Sequence, residues 1–296
     1  MTQKQTLTKL MVDMRLRNFS DNTIKSYLLT SKNFLIFTKI QNTLNLCEKQ
    51  FREYLVSLLS KELKASSINF YNCAIRFLYE VTLEKDINYK RIPHMKKYKT
   101  RPEILDIDEL ASLFANLTTP KHFAFFLNMY GSGLRISEML AIKTSDIDGK
   151  RMLLRVRCGK NRKERYAPLT LAGYEALRYY WKTYRPKNTN NYLFPDSTKT
   201  RTQTSKSFQS MYKKTANKAE ICKNSSTHTL RHNFATNSLQ SGLDLMTLKE
   251  MLGHTSLSTT SVYLHLFLVD KSNSKSPEEL TKIFWDEYCE RSFLNV

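Results

Sequence analysis

The chain has 296 residues, 41% apolar and 25% charged, a composition that supports buried cores and excludes wholesale disorder. Seven Gly and seven Pro exclude collagen-like and low-complexity chains. Lys and Arg number 47 against 27 Asp and Glu, a formal charge of +20, so a polyanionic partner is expected.

Residues 5–16 carry a weak helical periodicity. Ser20 suits an N-cap for a run with Ile24, Tyr27, Leu28, Phe34 and Leu35 at helical spacing. Residues 49–60 predict a third helix. The run 67–81 predicts a fourth, with Ile68, Tyr71, Ile75 and Leu78 on one face and Ser66 or Ser67 as cap. No strand-like alternation interrupts them, so 1–90 is expected to be a small helical bundle. From Asn88 to Arg101 the chain reads NYKRIPHMKKYKTR, basic and without periodicity, and we place an exposed linker at 91–103.

Asp106 with Glu109 resembles a capping box that opens a helix over 107–116. Lys121 to Tyr130 is strongly apolar and predicts a buried helix, ended by Gly131-Ser132-Gly133. Met152 to Arg157 and Arg165 to Leu169 are strand candidates, joined as a hairpin through the turn Gly159-Lys160-Asn161. Helices are expected at 170–182, 203–218, 227–240 and 244–252, and Gly242 fits a helix end. A last helix, 277–291, places Leu280, Ile283, Phe284 and Tyr288 on one face with no evident partner inside the chain. The expected fold is mainly α with a small β-hairpin. A mixed α/β domain at 104–268 follows the helical one, and a tail occupies 269–296.

Met1 to Leu10 is polar and lacks the apolar core of a signal peptide. No stretch approaches the roughly 18 apolar residues of a spanning helix, so a cytoplasmic chain without a membrane partner is expected. The five cysteines are scattered and never form C-x-x-C, which argues against a disulfide framework or a zinc site. Residues 1–100 hold 18 Lys/Arg against 8 Asp/Glu, and the rest hold 29 against 19. Each part is therefore net +10, the footprint of a protein that neutralises phosphates along its length.

No G-x-x-x-x-G-K-[ST] and no H-E-x-x-H is present, and the acidic residues do not suggest a two-metal centre. We expect neither a metal nor a cofactor. Phosphoryl transfer without metal needs a nucleophile, cations on the non-bridging oxygens and an acid for the leaving oxygen. Arg135 opens a helix after a glycine turn, in Gly131-Ser-Gly-Leu-Arg-Ile-Ser-Glu138, where a guanidinium can meet a phosphate and Glu138 can orient it. Lys160 sits in the hairpin turn, GKNRKER, from which a mobile ammonium can donate a proton. His228 and Arg231, three apart in THTLRH, share a helix face, while His232 points elsewhere as a structural residue. His254 follows Leu252-Gly253, and Tyr263 lies nine residues later. Two arginines and a histidine around that phenol would favour its phenolate. Singly, each residue reads as well as a surface ion pair, a solvated turn or a core tyrosine.

Together, and in this order, they resemble the tyrosine recombinase (phage integrase) family. The resemblance rests on Arg135 in GLRISE, Lys160 in GKNRKER, His228 and Arg231 in HTLRH, His254 in LGH and Tyr263, and covers about residues 3–268. LYEVTLEKD before the linker and RYAPL closing the hairpin are similar too. The tail, longer than in the family's short forms, is the departure.

The resemblance implies a helical core-binding domain of SAM-like type at 1–90 and a catalytic domain at 104–268, closing as a clamp on duplex DNA. It implies that Tyr263 attacks the scissile phosphate and forms a 3′-phosphotyrosyl bond. Arg135 and Arg231 would hold the non-bridging oxygens, Lys160 would protonate the leaving 5′-oxygen, His228 would handle the tyrosine proton and His254 would position the phosphate. Lys96, Lys97, Lys99, Arg101, Arg162 and Lys163 are the candidate phosphate contacts of the linker and turn. The implied partners are inverted-repeat core sites on double-stranded DNA and other copies of the chain. Four protomers would exchange strands on two sites, with a monomer or weak oligomer when free and the tail helix docking in trans. A type IB topoisomerase-like enzyme, a catalytically silent DNA-binding accessory protein and a basic RNA- or ribosome-binding protein are the alternatives.

Overall fold

The computed structural model describes residues 1–96, 102–157, 164–184, 191–196, 202–264 and 275–293. The chain divides into two compact units, Met1–Thr100 and Arg101–Val296. Unit one is helical, and the second is mostly helical with one small sheet.

In unit one, α1 (Gln3–Leu16) begins with a capping box of Thr2 and Gln5, and α2 (Asp21–Thr38) is capped by Ser20 as its sequence predicts. Helix α3 (Glu48–Leu59) precedes α4 (Ala65–Phe77). The start of α4 differs from the expectation of a cap at Ser66 or Ser67. The Lys64 carbonyl accepts from the Ser67 and Ile68 N–H groups, so both serines lie inside the first turn. After Phe77 the helix widens into a π turn, Leu78–Thr82, in which Leu78 and Tyr79 are both buried. Tyr79 stacks on Phe51 with centroids 5.5 Å apart and donates to the Cys47 carbonyl at 2.9 Å. Leu10, Met14, Phe34, Leu35, Phe51 and Ile75 centre this core.

The expected linker 91–103 is not free over its described first part. Three polar side chains on one face of α4 hold it down. Asn69 donates to the Met95 carbonyl and accepts from the Met95 N–H, at 2.9 and 2.8 Å. Asn72 donates to the Pro93 carbonyl at 3.1 Å. Arg76 donates to the Ile92 carbonyl and lies 4.3 Å from the Tyr89 ring centroid. Lys96 is described and exposed, whereas Lys97, Lys99 and Arg101 lie outside the described residues.

In unit two, α5 (Ile107–Ala115) opens with the expected Asp106–Glu109 capping box. The apolar α6 (Pro120–Gly131) is buried along its length. Short α7 (Ile136–Ala141) follows Gly133. That glycine has φ +60°, and a Cβ there would overlap the Phe234 ring. The sheet has three antiparallel strands, β1 (Ile147–Asp148), β2 (Leu153–Val156) and β3 (Arg165–Pro168), in that order. Leu154 pairs with Ala167 across β2 and β3. The two-residue β1 is too short to show a periodicity of two, so only the hairpin was expected.

Helices α8 (Leu171–Tyr184) and α9 (Ser205–Lys218) precede α10 (Thr227–Gln240), which runs through the core with buried residues on most faces. Next come α11 (Leu245–Leu252) and the single turn α12 (Leu257–Thr260), and α13 (Pro277–Phe293) forms the tail. The four described cysteines are unbridged. Among the described residues, no helix is long and apolar enough to cross a membrane.

The tail helix corrects one expectation, that its apolar face has no partner inside the chain. In the structure it packs on its own unit. Phe284 stacks on Phe114 at 4.7 Å and Tyr288 on Phe123 at 4.0 Å. Trp285 Nε1 donates to Glu175 at 2.9 Å, and Leu280 is fully buried. The receiving aromatics lie far away in sequence, so no local pattern reveals them. Burying Leu280, Phe284 and Tyr288 contributes roughly 4.5–9 kcal/mol in total, at about 1.5–3 each. Truncation after Lys275 is therefore expected to destabilise the second unit, read as a lower thermal midpoint and earlier urea unfolding. An unchanged midpoint would show that this packing contributes little.

Candidate active site

One carboxylate organises the site. Glu138, in the first turn of α7, is 4% exposed and meets three guanidiniums. Arg165, at the start of β3, donates to both its oxygens at 3.0 and 2.9 Å. Arg135 donates through Nη1 at 2.7 Å and through its backbone N–H at 2.9 Å. Arg231 Nη1 stands 3.8 Å away. Burial acts to raise the Glu138 pKa. The hydrogen bonds and charge of Arg165, followed by those of Arg135, outweigh it and bring it down to about 2. Three cations around one anion leave an excess of positive charge at the site.

Arg231 lies on the buried α10 and is 1% exposed. Its fork donates to the Gly133 carbonyl at 2.7 Å and to the Leu252 carbonyl at 2.7 Å. Nη2 also lies 3.0 Å from His254 Nε2. Burial first and the Arg135 charge second push the Arg231 pKa down to about 10. Since a guanidinium only donates, His254 Nε2 accepts, and Nδ1 carries the ring proton toward Thr260 Oγ1 at 2.9 Å. Burial and the surrounding arginines lower the His254 pKa to about 4, which keeps that ring neutral. Gly253 ends α11 with φ +62°, and a Cβ there would come within 2.9 Å of Arg165 Cδ. Arg165 also donates from Nε to the Met251 carbonyl at 2.9 Å, tying β3 to α11.

Tyr263 is 4% exposed, and its hydroxyl lies 2.9 Å from His232 Nδ1. This corrects the reading of His232 as pointing elsewhere. His228 and His232 are four residues apart on α10, and residues at that spacing share a helix face. Their ring centroids are 4.7 Å apart at 76°. His228 is exposed and lines a cleft of about 500 Å³ with Arg135, Ser137, Gln209, Tyr212 and Lys213. Desolvation first, then the charges of Arg231 and Arg135, lower its pKa.

The phenol also departs from expectation. The arginines do favour the phenolate, but burial raises the Tyr263 pKa by more than they lower it. The nucleophile candidate is therefore a neutral phenol at neutral pH.

The structure thus brings together Arg135, Glu138, His228, Arg231, His254 and Tyr263. Lys160, Arg162 and Lys163 lie outside the described residues. Sequence reasoning missed Arg165, His232 and Thr260. The i, i+4 spacing of His228 and His232 is the signal that could have found one of them. A site of this kind can hold an anion between Arg135 and Arg231 and present a phenol beside it.

A profile of the phage integrase family matches residues 103–268, and one of the phage integrase N-terminal SAM-like domain matches 7–89. A protein described as an integrase/recombinase, y4qK of Sinorhizobium fredii, is 37% identical over 271 residues, covering 90% of this chain and 86% of its own. The tyrosine recombinase XerC of Staphylococcus aureus is 32% identical over 268 residues, covering 84% and 88%. A lambda integrase (75–356) dimer bound to a COC′ core site shares the fold, with a TM-score of 0.70 at 15% identity over 93% of this chain and 98% of that one. With the profile over residues 103–268 and relatives above 30% identity, the chain belongs to the phage integrase family, as a tyrosine-type site-specific recombinase.

Proposed function

We propose that the chain cleaves and rejoins strands of duplex DNA through a 3′-phosphotyrosyl intermediate at Tyr263, without metal or ATP. The observation that carries this reading is a buried phenol beside a cluster of three arginines that share one carboxylate. A scissile phosphate placed there is held through its non-bridging oxygens by Arg135 and Arg231, where guanidinium forks stabilise the charge that develops during attack. Both His254 nitrogens are engaged, with Arg231 and Thr260, so His254 acts by orienting Arg231. Glu138 and Arg165 hold the cations in register.

The Tyr263 oxygen forms a bond to phosphorus as the bond to the 5′-oxygen breaks. Lys160, which lies between β2 and β3 in the sequence, supplies the proton to that leaving oxygen, and a 5′-hydroxyl is released. Reversal with a 5′-hydroxyl from another duplex rejoins strands, because the phosphotyrosine conserves the bond. The cations replace a metal, and the conserved bond removes any need for a nucleotide.

The net +10 on each part of the chain supports contacts to duplex DNA from both units. A lambda integrase dimer is bound to a core site and XerH to a palindromic difH substrate, which supports inverted-repeat sites here. Two such sites, brought together, need four protomers for exchange.

Nicked suicide duplexes cut from the DNA flanking the gene test the reading. In EDTA and without nucleotide, an SDS-resistant protein–DNA species should form, and proteolysis should place the DNA on the peptide that holds Tyr263. A species that forms only when Mg²⁺ is added would sink metal independence. Attachment at another tyrosine would sink the assignment.

A further inference from the structure

His232 has no role in the assignment above, yet it is the hydrogen-bond partner of the Tyr263 hydroxyl among the described residues. We propose that His232 takes the Tyr263 proton as the phenol attacks, and that the adjacent His228 ring passes the charge outward to solvent. This rests on Tyr263 being the nucleophile. The geometry favours His232 over His228 for the transfer. Nδ1 of His232 lies 2.9 Å from the hydroxyl, within reach for proton transfer. His228 is the outer ring of the pair, exposed on the cleft and 4.7 Å away between centroids. A buried phenol that must ionise therefore meets a half-buried imidazole first and an exposed one second.

The step balances. The O–H bond of Tyr263 breaks, an N–H bond forms at His232 Nδ1, and the freed electron pair forms the bond to phosphorus. The departing 5′-oxygen is protonated by its own acid. His232 returns to neutrality by giving its Nε2 proton to His228 or water, and religation runs the same path backward.

The surroundings leave the acceptor free. His228 and Arg231 on α10, Arg135 and Glu138 from α7, Arg165 from β3 and His254 after α11 face this region. Burial, then His228 and Arg231, push the His232 pKa down to about 4, so the ring is neutral, and in its Nε2–H tautomer the Nδ1 lone pair accepts from the phenol. A bound phosphate offsets the arginine charge and makes the ring a stronger base when the phenol must ionise.

The test measures single-turnover adduct formation on a nicked duplex from about pH 6 to pH 9. It compares the parent with His232→Asn, His232→Ala and His228→Asn. An asparagine amide can keep a hydrogen bond to the phenol but cannot take its proton. His232→Asn should be slower by about 10²–10³-fold near pH 7, the range of a lost general base. Its rate should then climb about tenfold per pH unit, because hydroxide must ionise the phenol, while the parent changes much less. His232→Ala should show the same slope, and His228→Asn should lose less than about tenfold. DNA binding and thermal unfolding of each variant separate a damaged fold from a damaged step. A His232→Asn rate equal to the parent's, or a slowed rate with the parent's pH profile, overturns the inference while leaving the nucleophile intact. Absence of a Tyr263 adduct in the parent itself overturns the nucleophile and this inference with it.

Discussion

Tyr263→Phe is expected to bind DNA like the parent and to form no SDS-resistant protein–DNA species. The change removes one oxygen and keeps the ring, which sits in the core beside α10. Its structural cost is the hydrogen bond to His232, about 1–3 kcal/mol if that nitrogen is left unpaired. A folded domain tolerates such a loss. The chemical cost is total, because no other atom replaces the nucleophile that would bond to phosphorus. Adduct formation by gel and DNA binding by mobility shift, measured on the same preparation, check both halves. A residual adduct in Tyr263→Phe would mean that another of the sixteen tyrosines supplies the nucleophile.

Replacing Glu138 should have the second-largest effect, on stability as well as on cleavage. Glu138→Gln leaves Arg231 and Arg165 almost buried with no counter-charge, the situation in which removing one partner of a buried ion pair costs about 3–5 kcal/mol. The effect has a pH signature. In the folded chain the Glu138 pKa is held near 2, against 4.5 for the free group. A depressed folded pKa means that the contribution is complete above about pH 4.5 and disappears as pH falls toward 2. The difference is worth on the order of 3 kcal/mol. Urea unfolding of parent and variant should differ by several kcal/mol near pH 7 and converge as pH drops below about 4.5. Parallel curves across that window would show that Glu138 carries little of the stability.

Most of the helical elements were readable because their signals are local. Ser20, the Asp106–Glu109 box and the apolar run before Gly131-Ser132-Gly133 each announce a boundary within a few residues. The site was readable only as an ordered set. Arg135, Lys160, His228, Arg231, His254 and Tyr263 each have an ordinary reading alone. Arg165 was not readable as a site residue, since its partners Glu138 and Met251 lie 27 and 86 residues away. The place of His232 beside Tyr263 follows from its four-residue spacing to His228, which the three-residue pairing of His228 with Arg231 hides. The raised pKa of Tyr263 comes from packing that no local pattern reveals. The partners of the tail's apolar face inside the chain, Phe114 and Phe123, are hidden for the same reason, being far upstream.

Asparagines grip the backbone on either side of the expected linker. Asn69 closes a pair of hydrogen bonds on Met95, and Asn233 closes a pair on Leu105. Each amide grips both the N–H and the carbonyl of a single residue, as a neighbouring strand would. Nine residues, 96–104, separate Met95 from Leu105 in the sequence, although the basic stretch itself begins near Asn88. The ten Cα–Cα steps from one gripped residue to the other can reach at most about 33–36 Å. If both units bind one duplex, as proposed, a tether of that length makes the second contact intramolecular, at an effective concentration of order millimolar. Losing either grip would lengthen the tether and lower that concentration.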